Sequence, residues 1–158
     1  MTPKILLVKP KNDVVNIMPP LGLGYLSAAL KKNGFCAEIF DCNLLNLDIP
    51  ALADKVRAEK IKYVGITVCS NEHVWLKSFC KVFENDHDLK IIVGGPHPTG
   101  LRSRLFSLIP RIDFIVYSEG ELALPALIKS LEDRNASHSH IPNLIWRKDG
   151  AFTENPLE

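Results

Sequence analysis

A chain of 158 residues is one domain's worth of sequence, long enough to bury a sizeable core. Its formal net charge of +1, with 23% charged residues, provides no field strong enough to hold a polyanion, which disfavours nucleic acid as a partner. No apolar run is long enough to cross a membrane and no signal-peptide pattern is visible; Cys36, Cys42, Cys69 and Cys80 include no C-x-x-C pair, so reduced thiols in the cytoplasm are expected rather than a cysteine-only metal site.

Taken in chain order, "KILLV" (4–8) is apolar after its lysine and suits a central parallel strand buried on both faces. "PLGLGYLSAALKKNG" (20–34) sets Leu23, Leu26 and Leu30 at helical spacing, with Pro20 near its start and Gly34 where a capping glycine belongs. "CAEIFD" (36–41) reads as a second strand, "PALADKVRAEK" (50–60) as a second helix and "YVGITV" (63–68) as a third strand. A third helix is expected over roughly 72–85, facing inward through Val74, Trp75, Phe79 and Val82. "KIIVG" (90–94) gives a fourth strand, roughly 100–108 a shorter helix, "DFIVY" (113–117) a fifth strand, and "ELALPALIKSLED" (121–133) the last helix. Strands alternating with helices at this spacing predict an α/β fold, a doubly wound five-stranded parallel sheet of the Rossmann-like, flavodoxin-like kind.

After Asp133 the polar stretch "RNASHSH" marks a break, and "IPNLIWRKDGAFTENP" carries a hairpin signal around Lys148-Asp149-Gly150. The expectation is an α/β domain over 1–135 and, over 136–158, a linker and a terminal hairpin running out of the domain. The final Leu157-Glu158 resembles a cloning remnant, which would make the chain an excised piece.

Sheets of this class bind ligands beyond the carboxyl ends of their strands, so the loops there form the functional inventory. They are "KPKNDVVNIMPPLGLG", "CSNE", "GGPHPTG" and "SEGE". Two adjacent glycines beside a histidine, Gly94, Gly95 and His97, fit a metal site, a phosphate cradle or a tight turn.

These motifs, in this order, resemble the cobalamin-binding domain that precedes the radical S-adenosylmethionine core in B12-dependent radical enzymes. The resemblance runs from about residue 4 to 156: "PPLGLGYLSAALKKNG" is similar to the opening helix, "IFD" to the end of the second strand, and "VGIT" to the strand before a polar loop. "IIVGGPHPT" is the nearest match; "SEGELALPALIKSLE" is similar to a G-E-G-E segment with Ser118 for the first glycine, and the hairpin to an I-P-G-L linker with Asn143 for glycine.

The resemblance implies cobalamin lying over the strand ends, its nucleotide tail in a slot beside the sheet. Gly94 and Gly95 would flank the slot's mouth, Thr67, Ser70 and Asn71 would bond the tail or corrin amides, and Ser118, Glu119 and Gly120 would meet the tail's ribose and phosphate. Pro10, Cys69, Pro96 and His97 complete the implied contact set. On this reading Gly95→Leu abolishes binding while the domain still folds, with a further cost of about 1 kcal/mol or more in stability if Gly95 holds a positive φ. The parent would be a methyltransferase or an oxidative cyclase of the magnesium-protoporphyrin type, with an iron–sulfur cluster (4Fe-4S) and S-adenosylmethionine in a C-terminal domain of the same polypeptide. These 158 residues contain no C-x-x-x-C-x-x-C motif and no implied catalytic residue.

One departure is informative. B12 mutases and methionine synthase-like proteins carry D-x-H-x-x-G after the first strand; here "KPKNDVV" has no histidine, so no histidine of this chain is expected on cobalt. Plainer roles compete residue by residue. Gly94-Gly95 suits a simple turn, His97 between prolines suits a cap or the surface, and Glu119 and Glu121 suit a helix amino end. Cys69 suits a small filler, His138 and His140 an exposed linker, and Gly22 and Gly24 lie within a helix rather than in a dinucleotide fingerprint. The alternative function is a stand-alone flavodoxin-like nucleotide-binding or signalling module. Against it, strand one ends in Val-Lys-Pro without the acidic pair of a receiver, and "KPKND" lacks the hydroxyls of a flavin phosphate loop.

Overall fold

The structure, a computed structural model, describes residues 4–13, 18–133, 137–148 and 150–157. Part of the loop after the first strand, the start of the polar break after Asp133, the hairpin's Asp149 and the terminal Glu158 fall outside those residues.

Five strands pair in parallel: β1 (Lys4–Lys9), β2 (Cys36–Asp41), β3 (Tyr63–Thr67), β4 (Lys90–Gly94) and β5 (Phe114–Val116). β6 (Leu144–Lys148) and β7 (Ala151–Glu154) join them antiparallel, in the order β2-β1-β3-β4-β5-β6-β7. The hairpin therefore does not run out of the domain as a separate ribbon; it extends a mixed seven-stranded sheet. The reason is β5, whose outer edge would otherwise present a row of unpaired backbone groups. Phe114, Ile115 and Val116 lie opposite Trp146, Ile145 and Leu144, and the Tyr117 amide donates to the Asn143 carbonyl at 2.9 Å.

Helices α1 (Leu21–Lys32) and α6 (Ala123–Glu132) cover one face of the sheet. The other face is covered by α2 (Ile49–Ala58), α3 (His73–Val82) and the short helices α4 (Pro96–Leu101) and α5 (Arg104–Leu108). Residues 5 to 8 of β1 are fully buried because successive side chains enter the two cores alternately.

Local chemistry sets most helix ends. α1 stops in a Schellman arrangement, with Gly34 at φ 82° and the amides of Phe35 and Gly34 donating to Leu30 and Lys31. α2 starts where the Asp48 side chain accepts from the Ala51 amide at 3.0 Å.

Two expectations shift. α3 is entered through a 3-10 turn at Ser70–Glu72, which rotates its inner stripe onto Leu76, Phe79 and Cys80; Val74 is 73% exposed and Val82 40%. The single helix expected over roughly 100–108 is two, α4 beginning directly after Gly95. Proline suits a first turn, where no helical amide partner is needed, so Pro96 and Pro98 start this helix rather than delay it. Arg102, at φ 52°, breaks α4 from α5, and its guanidinium lies 3.6 Å from the Tyr117 ring centre and 3.0 Å from Glu154 of the hairpin.

Candidate functional site

On the face under α1 and α6, Leu7, Gly65 and Ile92 stand in register across β1, β3 and β4, and Thr67 and Gly94 pair one step nearer the carboxyl ends. Gly65 carries no side chain in this row. The result is a slot of about 70 Å³, about the share of two water molecules, walled by Leu23 and Leu26 of α1 and Leu124 of α6. Thr67, Gly94, Gly95, Ser118 and Gly120 border it toward the carboxyl ends.

The glycines here do different jobs. A Cβ on Gly65 would stand 3.0 Å from Leu7 Cδ2, one on Gly94 3.1 Å from the Val116 carbonyl oxygen, and one on Gly120 2.9 Å from Leu26 Cδ2. Gly65 and Gly120 thus leave space that is contested by side chains, leucines most closely, rather than by backbone.

Gly95 differs: it borders the slot, and its backbone holds the positive φ that makes any side chain there costly. Its φ is 97°, and a Cβ would lie 2.9 Å from the Val68 nitrogen and 3.0 Å from the Val68 oxygen. Val68 donates to the Gly94 carbonyl at 2.9 Å and accepts from the His97 amide at 3.1 Å, so Gly95 is held between two main-chain bonds. Any side chain there strains the backbone, and its Cβ would also crowd Thr67 Oγ1 of the slot's border at 2.9 Å.

The two departures from glycine also gain a physical account. Ser118 and Asn143 both hold φ 57°, in the left-handed region that favours glycine. The Ser118 amide donates to Thr99 Oγ1 at 3.0 Å, and Asn143 Nδ2 donates to the Glu119 carbonyl at 2.9 Å. The hairpin thereby holds the "SEGE" loop beside the slot.

Next to the slot, the loops after β1, β2 and β3 are tied by a polar cluster that sequence reading missed. Glu72 is 4% exposed; its carboxylate accepts from Asn12 Nδ2 and from the Cys69 amide, each at 2.7 Å. Asn43 Nδ2 donates to Asn12 Oδ1 at 2.8 Å, and the Asn43 amide donates to Asp41 Oδ1 at 3.0 Å. The available signal was "CSNE", where a glutamate three residues after a turn start can reach back to cap it.

The remaining implied contact residues share this end of the sheet without lining the slot. Pro10 is buried; Cys69, Ser70, Asn71, Pro96 and Glu119 are exposed. Burial and the neighbouring Glu72 push the Cys69 thiol up, away from a reactive thiolate. His97 is half-buried, its Nε2 2.9 Å from His73 Nδ1, and burial followed by the nearby His73 pushes its pKa down. His138 is not an exposed linker residue: it is half-buried, 2.8 Å from Ser130 Oγ, with its ring edge-on to Phe114 and Trp146. Also unforeseen were Gly65 and the leucine walls. A glycine inside a strand was their signal, since it marks a close approach.

A larger open cavity of about 1020 Å³ lies at the opposite end, among Lys77, Lys81, Lys90, Arg111 and Trp146. Open α/β sheets do not use that end for ligands. Arg111 is spent on its own chain, donating to the carbonyls of Phe83, Asp86 and Leu89 and pairing with Asp113. Among the described residues no group of three or more His, Cys, Asp or Glu could hold a metal ion, and no helix is long and apolar enough to cross a membrane.

Comparison with known proteins matches the same architecture. The chain is 28% identical over 160 aligned positions to an uncharacterized methyltransferase of Pyrococcus horikoshii, covering 97% of this chain and 34% of that protein. It is 25% identical to the anaerobic magnesium-protoporphyrin IX monomethyl ester cyclase of Synechocystis sp., covering 96% of this chain and 32% of the cyclase. Among solved structures, the radical S-adenosylmethionine methyltransferase TsrM from Kitasatospora setae, with cobalamin and an iron–sulfur cluster bound, superposes with a TM-score of 0.84. The identity is 23%, covering 99% of this chain and 29% of TsrM. The chain therefore spans about a third of the length of each of these relatives. The B12 binding domain model matches residues 10–128, which contain all of the slot's lining except Leu7, and the chain belongs to that family.

Proposed function

We propose that this chain is the cobalamin-holding module of a larger B12-dependent radical S-adenosylmethionine enzyme, of methyltransferase or oxidative cyclase type, working in the cytoplasm. The observation that carries the reading is the slot under α1 and α6, kept open by Gly65, Gly94 and Gly120 at the carboxyl ends of the strands. The slot is where a flat nucleotide base would enter edge-first, and the loops around it offer the hydroxyls and amides that a corrin rim and a phosphate require.

In this role Thr67 and Ser118 present hydroxyls at the slot's mouth, and the backbone of Ser118 to Gly120 faces the tail's ribose and phosphate. Ser70 and Asn71, exposed on the 3-10 turn after β3, would reach the corrin amides. Pro10, Cys69, Pro96, His97 and Glu119 form the surrounding surface. The buried Glu72 fixes the height of that turn. Cobalamin, when bound, supplies a cobalt centre able to carry a methyl group or change oxidation state. His73 and His97 bond to each other, which supports a cobalt without a histidine from this chain. The cluster and S-adenosylmethionine would belong to a further domain of the same polypeptide. We read residues 4–133 as the cobalamin-binding core and the hairpin as its edge and its path toward that domain.

The test is equilibrium dialysis of the purified chain against hydroxocobalamin, followed by electron paramagnetic resonance of the reduced cob(II)alamin complex. Retention of the coloured ligand, with no nitrogen splitting from an axial histidine, is expected. Absence of retention at high cobalamin sinks the reading; a three-line splitting that vanishes in His97→Ala overturns the ligand assignment.

A further inference from the structure

The lining of the slot bears on which tail it accepts, an inference that rests on the cobalamin reading above. Its deep part is bounded by Leu7, Leu23, Leu26, Ile92, Val116 and Leu124, with Gly65 opening the floor. Among the described residues, the side-chain heteroatoms bordering it are the hydroxyls of Thr67 and Ser118, both toward the carboxyl ends. One main-chain acceptor, the Val116 carbonyl, stands 3.1 Å from where a Gly94 Cβ would be.

Cobalamin-type cofactors differ in the base that ends their nucleotide tail. In dimethylbenzimidazole the six-membered ring is all carbon and carries two methyl groups. In a purine the same ring carries two nitrogens, and in adenine also an amino group. With the ribose and phosphate held at the mouth, that ring is the end that goes deepest. There the methyl groups would meet leucines, whereas the purine nitrogens would lose their water among apolar side chains of the described lining that offer no donor.

We infer that this slot selects cobamides whose tail ends in a benzimidazole over those whose tail ends in a purine. The Val116 carbonyl could accept from an adenine amino group, but the ring nitrogens would face the apolar side chains of the deep lining. Leaving such groups buried and unpaired weakens binding by roughly ten-fold to a hundred-fold.

Three coloured ligands decide the matter with the unmodified chain: cobalamin, adeninylcobamide and cobinamide, which lacks the base altogether. Affinities are read by equilibrium dialysis and visible absorbance. Cobalamin is expected to bind tightest and adeninylcobamide at least about ten-fold more weakly, close to cobinamide. Equal affinity for cobalamin and adeninylcobamide overturns the selectivity while leaving the cobalamin reading intact. Equal affinity for all three shows that the tail does not use the slot, and overturns it as well; retention of none overturns the underlying reading. Leu26→Gln then locates the effect. Leu26 is half-buried, so an amide is tolerated there, and a new donor in the wall is expected to narrow the gap by about three-fold or more. A gap that does not move in a variant with an unchanged melting temperature removes the slot wall as its source.

Discussion

On the face covered by α2, α3 and α5, the sheet packs against Phe79, Phe83 and Phe106, each at most 1% exposed, with the Trp75 and Phe79 rings stacked at 5.4 Å. On the face covered by α1 and α6, the same sheet presents Gly65 between Leu7 and Ile92 and meets leucines that stop short of it. One face is filled with large rings and the other is left incomplete at its upper end. On the proposed reading, stability and binding fall to opposite sides of one sheet. The difference also explains how a chain of this size can keep a gap: a close-packed core on one face supplies burial that the other forgoes.

Changes that separate the two faces test this division. Phe79→Ala should cost about 3–5 kcal/mol of stability, read by urea denaturation, while the folded fraction keeps its cobalamin affinity. A loss of affinity as large as the loss of stability would show the faces to be coupled. Gly65→Leu is the mirror experiment: it fills the slot, so affinity should fall by about a hundred-fold or more while the overpacking cost in stability stays near 1–3 kcal/mol. Wild-type affinity in that variant would remove the slot from the site.

Gly95→Ala sharpens the comparison at the seam between the faces. Because its Cβ meets the Val68 backbone at a φ of 97°, stability should drop by about 1 kcal/mol or more already at alanine. An unchanged melting temperature would restore a purely ligand-facing role. Ser118→Gly relieves a left-handed φ at the cost of a looser unfolded chain, so a gain below about 1 kcal/mol is expected.

Acid should act on both faces weakly. His97 sits over the ring-filled face and His138 under the slot-bearing one, and burial lowers both pKa values. The unfolded chain then binds more protons than the folded one, so this contribution is complete above the unfolded histidine pKa of about 6.5 and is lost as pH falls through that value toward the depressed folded ones. Proton titration by NMR should find both rings protonating later than a free histidine on acidification. Midpoints at or above the free value would contradict the burial seen here.

The fold was legible because its signals are local and redundant: each parallel strand is a short apolar run, and Asp48, Gly34 and Pro96 are punctuation with a mechanism. What escaped reading depended on partners far apart in sequence. Val74 and Val82 have the composition of a buried face, but the 3-10 turn before α3 sets the helix's rotation. The hairpin read as an outgoing ribbon because nothing in its own residues says that the edge of β5 is free to receive it. Of the residues that border the slot, Gly94, Gly120, Thr67 and Ser118 were reached through loop position. Gly65 and the leucine walls were not, since a slot beside a sheet is a relation between strands and helices that no single segment displays. Gly95 was found the same way, but the Val68 backbone that constrains it, twenty-seven positions earlier in the chain, was not.

At about 70 Å³ the slot at rest is smaller than any base it would admit, and its movable boundaries are leucine side chains rather than backbone. On the proposed reading, a tail base could enter only once Leu26 and its neighbours swing aside. The observed association rate would then level off at high ligand concentration, at the frequency with which the walls part. The same leucines, closing over a seated tail, would make departure slow, giving the complex a long lifetime out of proportion to its count of polar contacts.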